Sequence, residues 1–177
     1  IPMMSGTASN SLALSSFLRS YGSILCHRES HINKDEGGAP EFFSGGGKLQ
    51  SISNDSGKLN SKNINEKLNE LNFKGKQHSK ICGISLTQLA ENGTLYSQSE
   101  IISISKICKE NNFYLHMDGA RFSNALVSQQ SVSPAEATWK IGIDCLSLGA
   151  TKNGAMAAEV IIFFSKDLAE EAKKMVK

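Results

Sequence analysis

Two residues that follow apolar runs carry groups suited to carbonyl chemistry. Lys152 comes shortly after the apolar run 143–148 and has mostly small neighbours, among them Gly149 and Gly154. Asp118 directly follows another apolar run, 113–117. A primary amine can condense with an aldehyde, and a carboxylate can keep a ring nitrogen protonated. The pair therefore predicts an enzyme site in which an amine and a carboxylate act on one aromatic group.

Pyridoxal 5′-phosphate is the cofactor whose chemistry needs this pair. Lys152 would form the Schiff base with its aldehyde, and Asp118 would keep its pyridine nitrogen protonated so that the ring accepts electrons. The small neighbours of Lys152 lead us to expect a desolvated, nucleophilic amine. The alternatives are an ordinary surface lysine at 152, and for Asp118 a helix N-cap or an ion pair with Arg121.

Three further residues, Gly6, Thr7 and His31, could contact such a cofactor. Gly6 and Thr7 precede a helical stretch, so backbone N–H groups and the Thr7 hydroxyl could bind a phosphate at the helix N-terminus. Simple helix capping is the alternative. His31 could stack on a ring or act as a general base, or it could be an exposed loop histidine. His116 alternates within a strand and is expected in the core, whereas His27 and His78 are expected in solvated loops.

The elements that must position these residues alternate along the chain. Apolar runs predict strands near residues 24–25, 48–53, 80–86, 113–117, 143–148 and 159–164. Helices are predicted around residues 12–18, 55–77 and 167–177, and after capping boxes at Ser97 and Ser133. Strands separated by helices pair in parallel through right-handed crossovers, and such α/β sheets bind ligands at the carboxyl ends of their strands. Asp118, Arg121, Lys152 and the Gly6-Thr7 turn fall at loop or strand-end positions consistent with that edge.

Composition sets limits on the remaining function classes. The chain has 177 residues, is 40% hydrophobic and 20% charged, and carries a formal charge of +2. These values fit a single globular core and predict neither nucleic-acid nor membrane binding. Its four cysteines form no Cys-x-x-Cys pair, so buried free thiols and a cytoplasmic location are expected. Because both ends interrupt an apparent element, we expect a fragment.

Four segments together give the chain a family resemblance. They are SGTASN at 5–10, SHI at 30–32, HMDGAR at 116–121 and TK at 151–152, in this order. In these segments the chain resembles the threonine aldolases, which include low-specificity and phenylserine aldolases, and the related β-eliminating lyases. The similarity runs through essentially all 177 residues. The Asp-Gly-Ala-Arg and lysine segments are its most specific parts.

The resemblance implies a fold and a set of site residues. The fold would be the large domain of fold-type I pyridoxal-phosphate enzymes, aspartate-aminotransferase-like, with a mostly parallel sheet and helices on both faces. Lys152 would be the Schiff-base lysine, Asp118 the partner of the pyridine nitrogen and His31 the stacked histidine. Gly6 and Thr7 would contact the phosphate. Arg121 would bind the substrate carboxylate.

The resemblance also implies an activity and what the segment lacks. Residues 1–177 would be a partial cofactor-binding domain, without the N-terminal arm and the C-terminal small domain of the family. The expected reaction is cleavage of threonine or a related β-hydroxy-α-amino acid to glycine and an aldehyde, in a homodimer or homotetramer. β-Elimination, transamination and an inactive truncated domain remain alternatives, because the scaffold residues are common to these reactions. The side chain and stereochemistry of the substrate stay open.

Overall fold

Seven strands and seven α-helices are present in the parts of the chain that the computed structural model describes, residues 1–73 and 79–176. The strands are β1 (Pro2–Met3), β2 (Gly22–His27), β3 (Lys48–Ile52), β4 (Lys80–Thr87), β5 (Tyr114–Gly119), β6 (Cys145–Gly149) and β7 (Glu159–Phe163). The helices are α1 (Gly6–Ser15), α2 (His31–Lys34), α3 (Ala39–Phe43), α4 (Ser61–Phe73), α5 (Gln98–Asn111), α6 (Phe122–Ser128) and α7 (Lys166–Met175).

The strands form one mostly parallel sheet, as predicted. Their order is β1-β7-β6-β5-β4-β2-β3, and the five strands from β6 to β3 pair in parallel. The prediction was incomplete at the other edge, where β7 runs antiparallel to β6 and β1 antiparallel to β7. The reason is the connection between β6 and β7: it holds only a 3-10 turn at Thr151–Asn153, and a parallel return needs a longer crossover.

Helices cover both faces of the sheet and enclose two hydrophobic cores. Within β2, the side chain of Leu25 belongs to one core, and those of Ile24 and Cys26 belong to the other. This alternation follows from the two-residue period of a strand. Ile64 of α4 and Ile104 of α5 pack into the first core, together with Leu115 and Met117 of β5. Leu14 of α1 and Leu168 of α7 pack into the second core.

The two predicted capping boxes have different outcomes. At the start of α5, Glu100 N donates to Ser97 Oγ (3.3 Å) and Ser97 N donates to Glu100 Oε2 (2.8 Å), as predicted. Ser133 and Glu136 make the same two bonds, but no α-helix follows them. The chain instead forms turns and a 3-10 helix at Trp139–Ile141, which ends at Gly142 with a φ of 96°. Burial of Ile141 and Ile143 against the sheet directs the chain into β6 instead.

The environments of His27 and Cys82 differ from those predicted. His27 is buried at the end of β2 and not in a solvated loop, because β2 extends two residues beyond its predicted end. The prediction for His78 lies outside the described residues. Three of the four free cysteines are buried as expected, and Cys82 is half-buried. No helix in residues 1–73 or 79–176 is long and apolar enough to cross a membrane.

Candidate active site

The carboxyl ends of the parallel strands and the start of α1 surround one cavity of about 320 Å³. Small-molecule sites in proteins span roughly 300–1,000 Å³. Five of the six predicted site residues line this cavity: Gly6, Thr7, His31, Asp118 and Lys152. The other lining residues are Met4, Ser5, Asn10, Glu36, Glu91, Ala120, Thr151, Ala157 and Glu159.

Asp118 is held from two sides at the end of β5. Its Oδ1 accepts a hydrogen bond from Ala120 N (3.0 Å), and its Oδ2 accepts one from Asn10 Nδ2 of α1 (3.0 Å). The side chain is buried. Arg121 is bonded to Glu91 instead of Asp118, and Arg121 itself is the N-cap of α6, so neither structural alternative for Asp118 is observed. The carboxylate therefore has a fixed orientation in the cavity.

Asn10 and Glu36, neither of them a predicted site residue, join Asp118 to His31. Asn10 Nδ2 also donates to Glu36 Oε1 (2.7 Å), and the same oxygen lies 2.9 Å from His31 Nδ1. Burial raises the pKa of Glu36, as does the Asp118 charge, while hydrogen bonds from Asn10 and His31 oppose the shift. Asn10 stood in the SGTASN segment, but Glu36 is a loop glutamate before two glycines and belongs to no periodic pattern.

Both interpretations of the α1 start fit the structure. Ser5 caps the helix, since Ala8 N donates to Ser5 Oγ (3.1 Å) and Ser9 N donates to Ser5 O (3.0 Å). The first amides of a helix have no carbonyl partner one turn back. Gly6 and Thr7 supply two such amides beside the cavity, where the positive end of the helix dipole favours an anion.

A carboxylate that the sequence did not indicate lies next to this helix start. Glu159 begins β7, and its Oε1 accepts a hydrogen bond from Thr151 Oγ1 (2.5 Å). Its Oε2 would lie 3.9 Å from a Cβ placed on Gly6. An anion bound at this helix start would lie near the Glu159 carboxylate, and like charges at short range repel each other even in water. An anion at the α1 start would therefore meet both an attractive helix end and a repulsive side chain.

Lys152 lies in the 3-10 turn that follows β6, and its side chain is exposed. The expectation of a desolvated amine was therefore wrong for this segment. Small neighbours expose the lysine instead of covering it: all of residues 151–158 are exposed. In the described part of the chain, no hydrogen bond or ion pair holds the ammonium group. The amine is thus available to a molecule in the cavity.

Arg121 is the predicted site residue that does not line the cavity. Its Nη1 donates to Glu91 Oε2 (3.2 Å), and Glu91 does line the cavity. The arginine is therefore one ion pair away from the site. A substrate carboxylate would have to replace Glu91 as its partner. Glu91 follows β4, and the sequence reasoning assigned it no function.

Gly119 lies where β5 and β6 approach each other closely. A Cβ at this position would lie 2.6 Å from Leu146 Cδ1 and 3.0 Å from the Ser147 carbonyl oxygen. The close approach of β5 to β6 therefore requires glycine. Ala120, the next residue, lines the cavity.

His116 occupies the core, as predicted, with both ring nitrogens bonded. Nδ1 lies 2.9 Å from Ser85 Oγ and Nε2 lies 3.0 Å from Ser147 Oγ. Complete burial lowers the pKa of His116 to about 4, although the Asp118 charge opposes the shift. The ring is consequently neutral at physiological pH. Its position two residues before Asp118 makes it part of the support beneath the cavity.

The donor set of the cavity fits pyridoxal phosphate. One end offers amides and a hydroxyl, which suit a phosphate. The buried Asp118 carboxylate suits a protonated ring nitrogen, and the exposed Lys152 amine suits an aldehyde.

A larger cavity of about 560 Å³ lies at the opposite edge, around Tyr114, Trp139 and Asp144. Asp144 there accepts a bond from Leu115 N (2.8 Å) and thus holds the start of β5. The carboxyl edge is the better candidate.

Comparisons with known proteins agree with this geometry. A family model described as β-eliminating lyase matches residues 1–177. The chain is 47% identical over 166 residues to a low specificity L-threonine aldolase of Pseudomonas sp. (strain NCIMB 10558), a match covering 94% of this chain and 47% of that protein. The corresponding Pseudomonas aeruginosa protein is 46% identical over the same length. The chain spans about half the length of these curated relatives.

A solved structure also matches the fold. The chain aligns with a threonine aldolase of Leishmania major with a TM-score of 0.87 at 29% sequence identity. The alignment covers 99% of this chain and 50% of the Leishmania chain. The predicted fold class, a mostly parallel sheet with helices on both faces, is confirmed by the observed sheet and by this similarity.

Proposed function

Because the chain belongs to the β-eliminating lyase family, we propose that it forms the cofactor-binding large domain of a pyridoxal-phosphate-dependent threonine aldolase. The substrate would be threonine or a related β-hydroxy-α-amino acid, and the products glycine and an aldehyde. The observation that carries this proposal is the convergence of Asp118, His31, Lys152 and the α1 start around one cavity. The identity to low specificity L-threonine aldolases favours this reaction over other reactions of the scaffold.

Three parts of the cavity would each hold one part of the cofactor. Gly6 and Thr7 would bind the phosphate, Asp118 would bind the pyridine nitrogen, and the Lys152 amine would hold the aldehyde carbon. When bound, the cofactor supplies an electron sink for the pair released when the Cα–Cβ bond breaks. Asn10 and Ala120 keep the Asp118 carboxylate oriented toward its partner.

His31 would be the group of this chain that moves a proton. Its Nδ1 faces Glu36, which leaves Nε2 to accept the proton of the β-hydroxyl group, directly or through a water molecule. Loss of that proton lets the hydroxyl carbon become an aldehyde as the Cα–Cβ bond breaks. A positioned general base of this kind accelerates a reaction by about 10²- to 10⁴-fold.

Arg121 would bind the substrate carboxylate once Glu91 releases it. The present ion pair keeps the guanidinium at the cavity border without a substrate. Exchange of one carboxylate for another conserves the charge-assisted bonds of the arginine. The bound α-carboxylate would thereby fix the orientation of the substrate, and with it the direction of the Cα–Cβ bond and of the β-hydroxyl group.

The proposal extends to the setting of the enzyme. We propose a cytoplasmic location, supported by four cysteines that stay unpaired, since disulfides are rare in reducing compartments. A homodimer or homotetramer is proposed from the family resemblance. Exposed Phe42 and Phe43, which pack edge to face against each other, provide an apolar surface consistent with such contacts.

Product analysis of the full-length protein tests the function. The protein is incubated with pyridoxal phosphate and L-threonine after the absorbance band of lysine-bound cofactor has been recorded. Glycine and acetaldehyde in equal amounts are expected. Bound cofactor without glycine would transfer the function to elimination, transamination or a bulkier β-hydroxy substrate. Absence of the band would contradict the cofactor assignment itself.

A further inference from the structure

A fully buried carboxylate stands behind the proposed base. The Glu36 side chain has no exposed surface, whereas the His31 side chain is 32% exposed. Removing a carboxylate from water costs several kcal/mol unless hydrogen bonds or a charge compensate it. Glu36 Oε1 has two partners, Asn10 and His31, and Oε2 has none within the described residues. A position selected for stability alone would favour a neutral side chain here.

The hydrogen-bond donors around Glu36 can be assigned from chemistry. The Asn10 amide has two N–H groups, and they point at the carboxylates of Glu36 (2.7 Å) and Asp118 (3.0 Å). An ionised carboxylate only accepts hydrogen bonds. While Glu36 is ionised, His31 Nδ1 therefore carries the proton shared with Glu36 at 2.9 Å, and in the neutral ring Nε2 then carries the lone pair.

This assignment matters because a neutral histidine can act as a base at one nitrogen only. Without Glu36, the ring could place its proton on Nε2 and present no lone pair to the substrate. The same Asn10 amide also bonds to Asp118. One connected group of side chains therefore sets the orientation of both the proposed base and the proposed partner of the pyridine nitrogen.

We propose that Glu36 is a positioning residue that fixes the proton of His31 on Nδ1 and, through Asn10, ties the orientation of His31 to that of Asp118. The kinetic part of this inference rests on the proposed function. The tautomer of His31 does not depend on it.

The test uses the full-length protein labelled with ¹⁵N-histidine, in wild-type form and with Glu36→Gln, Glu36→Asp or Asp35→Asn. Asp35 is the matched control, because it is the neighbouring residue, is exposed, and loses the same charge. NMR at about pH 8, well above the ordinary carboxyl pKa, reports which ring nitrogen carries the proton. The His31 signals are assigned by their loss in His31→Gln. Steady-state kinetics with L-threonine and the cofactor absorbance band are measured alongside.

In the wild type we expect the Nδ1-protonated ring. Glu36→Gln should move the proton to Nε2 and lower kcat by about 10²-fold, while bound cofactor is retained and KM changes little. Glu36→Asp should restore part of both the ring signal and kcat. Asp35→Asn should leave both at wild-type values.

Two results would overturn the inference: an Nε2-protonated His31 in the wild type, or wild-type ring signals in Glu36→Gln. If Glu36→Gln fails to fold, the wild-type tautomer and the Glu36→Asp variant still decide the question. If the wild type binds cofactor but does not cleave threonine, the proposed function fails, and the ring signals still report on Glu36. The two failures are therefore distinguishable.

Discussion

At the scale of single residues, the site depends on side chains that satisfy several partners at once. The Asn10 amide binds carboxylates that are 26 and 108 residues away along the chain. Glu91 neutralises Arg121 in the same way, and Glu159 occupies the Thr151 hydroxyl. Each of these polar groups has a protein partner in this structure, and a bound ligand would offer it a further or a replacement partner. Replacing a protein partner by a ligand costs less than ordering an unpaired group.

Lys152 and His31 should differ in what their loss removes. Lys152→Ala should abolish the absorbance band of lysine-bound cofactor and nearly all cleavage of threonine, because the amine would be the proposed covalent attachment point. His31→Ala should keep the band and lower kcat by about 10²- to 10⁴-fold, the usual contribution of a general base. Spectra and initial rates of the two full-length variants check this. Comparable residual activity in both would argue against these roles.

Glu159 should weaken binding of the cofactor phosphate. Its carboxylate lies near the α1 start, so Glu159→Gln should tighten cofactor binding by about 5-fold at low salt, or roughly 1 kcal/mol. Added salt should reduce the difference, since it screens charges near solvent. Titration of the apoenzyme with pyridoxal phosphate measures the effect. Weaker binding in the variant would show that Glu159 supports the phosphate site instead.

At the scale of elements, the site is built from strand ends. The parallel pairing of β2, β4, β5 and β6 brings residues 31, 91, 118 and 152 to one edge, although they are far apart in sequence. α1 completes the site because it packs on the same face of the sheet as His116 and Asp118, with its first turn at the cavity. The pairing of the strands and the packing of α1 thus fix the separation of the candidate functional groups.

Gly119→Ala tests the packing between β5 and β6. The added methyl group would overlap Leu146 Cδ1 and approach a carbonyl oxygen of β6, and a backbone group cannot move aside easily. Overpacking of this kind destabilises a protein by about 1–3 kcal/mol. The urea midpoint of the full-length protein should fall, and cofactor affinity should fall with it, because Asp118 precedes this residue. An unchanged midpoint would contradict the close packing described for Gly119.

At the scale of the whole molecule, stability should depend on acid through His116. Its folded pKa of about 4 lies below the ordinary value of 6.5. Between these values the unfolded chain binds a proton that the native ring cannot accept, so stability is lost as the pH falls through this window. The loss from this group should reach about 2 kcal/mol at about pH 5, at 1.36 kcal/mol per pH unit.

Denaturant unfolding of the wild type and His116→Gln at about pH 7 and about pH 5 measures this term. The variant should lose about 2 kcal/mol less between the two pH values, whatever its stability at neutral pH. Glutamine keeps an uncharged polar group near Ser85 and Ser147, the serines that bond to the ring in the wild type. An equal acid loss in both proteins would show that His116 is protonated in the native state.

The sequence by itself indicated six of the seven strands and four of the seven α-helices in the described residues, together with the candidate site residues. Hydrophobic periodicity located the strands, and the order of the SGTASN, SHI, HMDGAR and TK segments indicated the family. Such signals are local: a strand period, a capping box and a short segment each lie within a few consecutive residues. Five of the six predicted site residues consequently line the observed cavity.

Tertiary structure decided what depends on contacts across the chain. The bridge from Asp118 through Asn10 and Glu36 to His31, the Arg121–Glu91 pair and the exposure of Lys152 leave no periodic trace in the sequence. The antiparallel β7 and the missing helix after Ser133 likewise depend on how long each connection is and where it meets the sheet. The reason is physical: burial, charge and hydrogen-bond partners are set by neighbours in space, and sequence patterns report only neighbours along the chain.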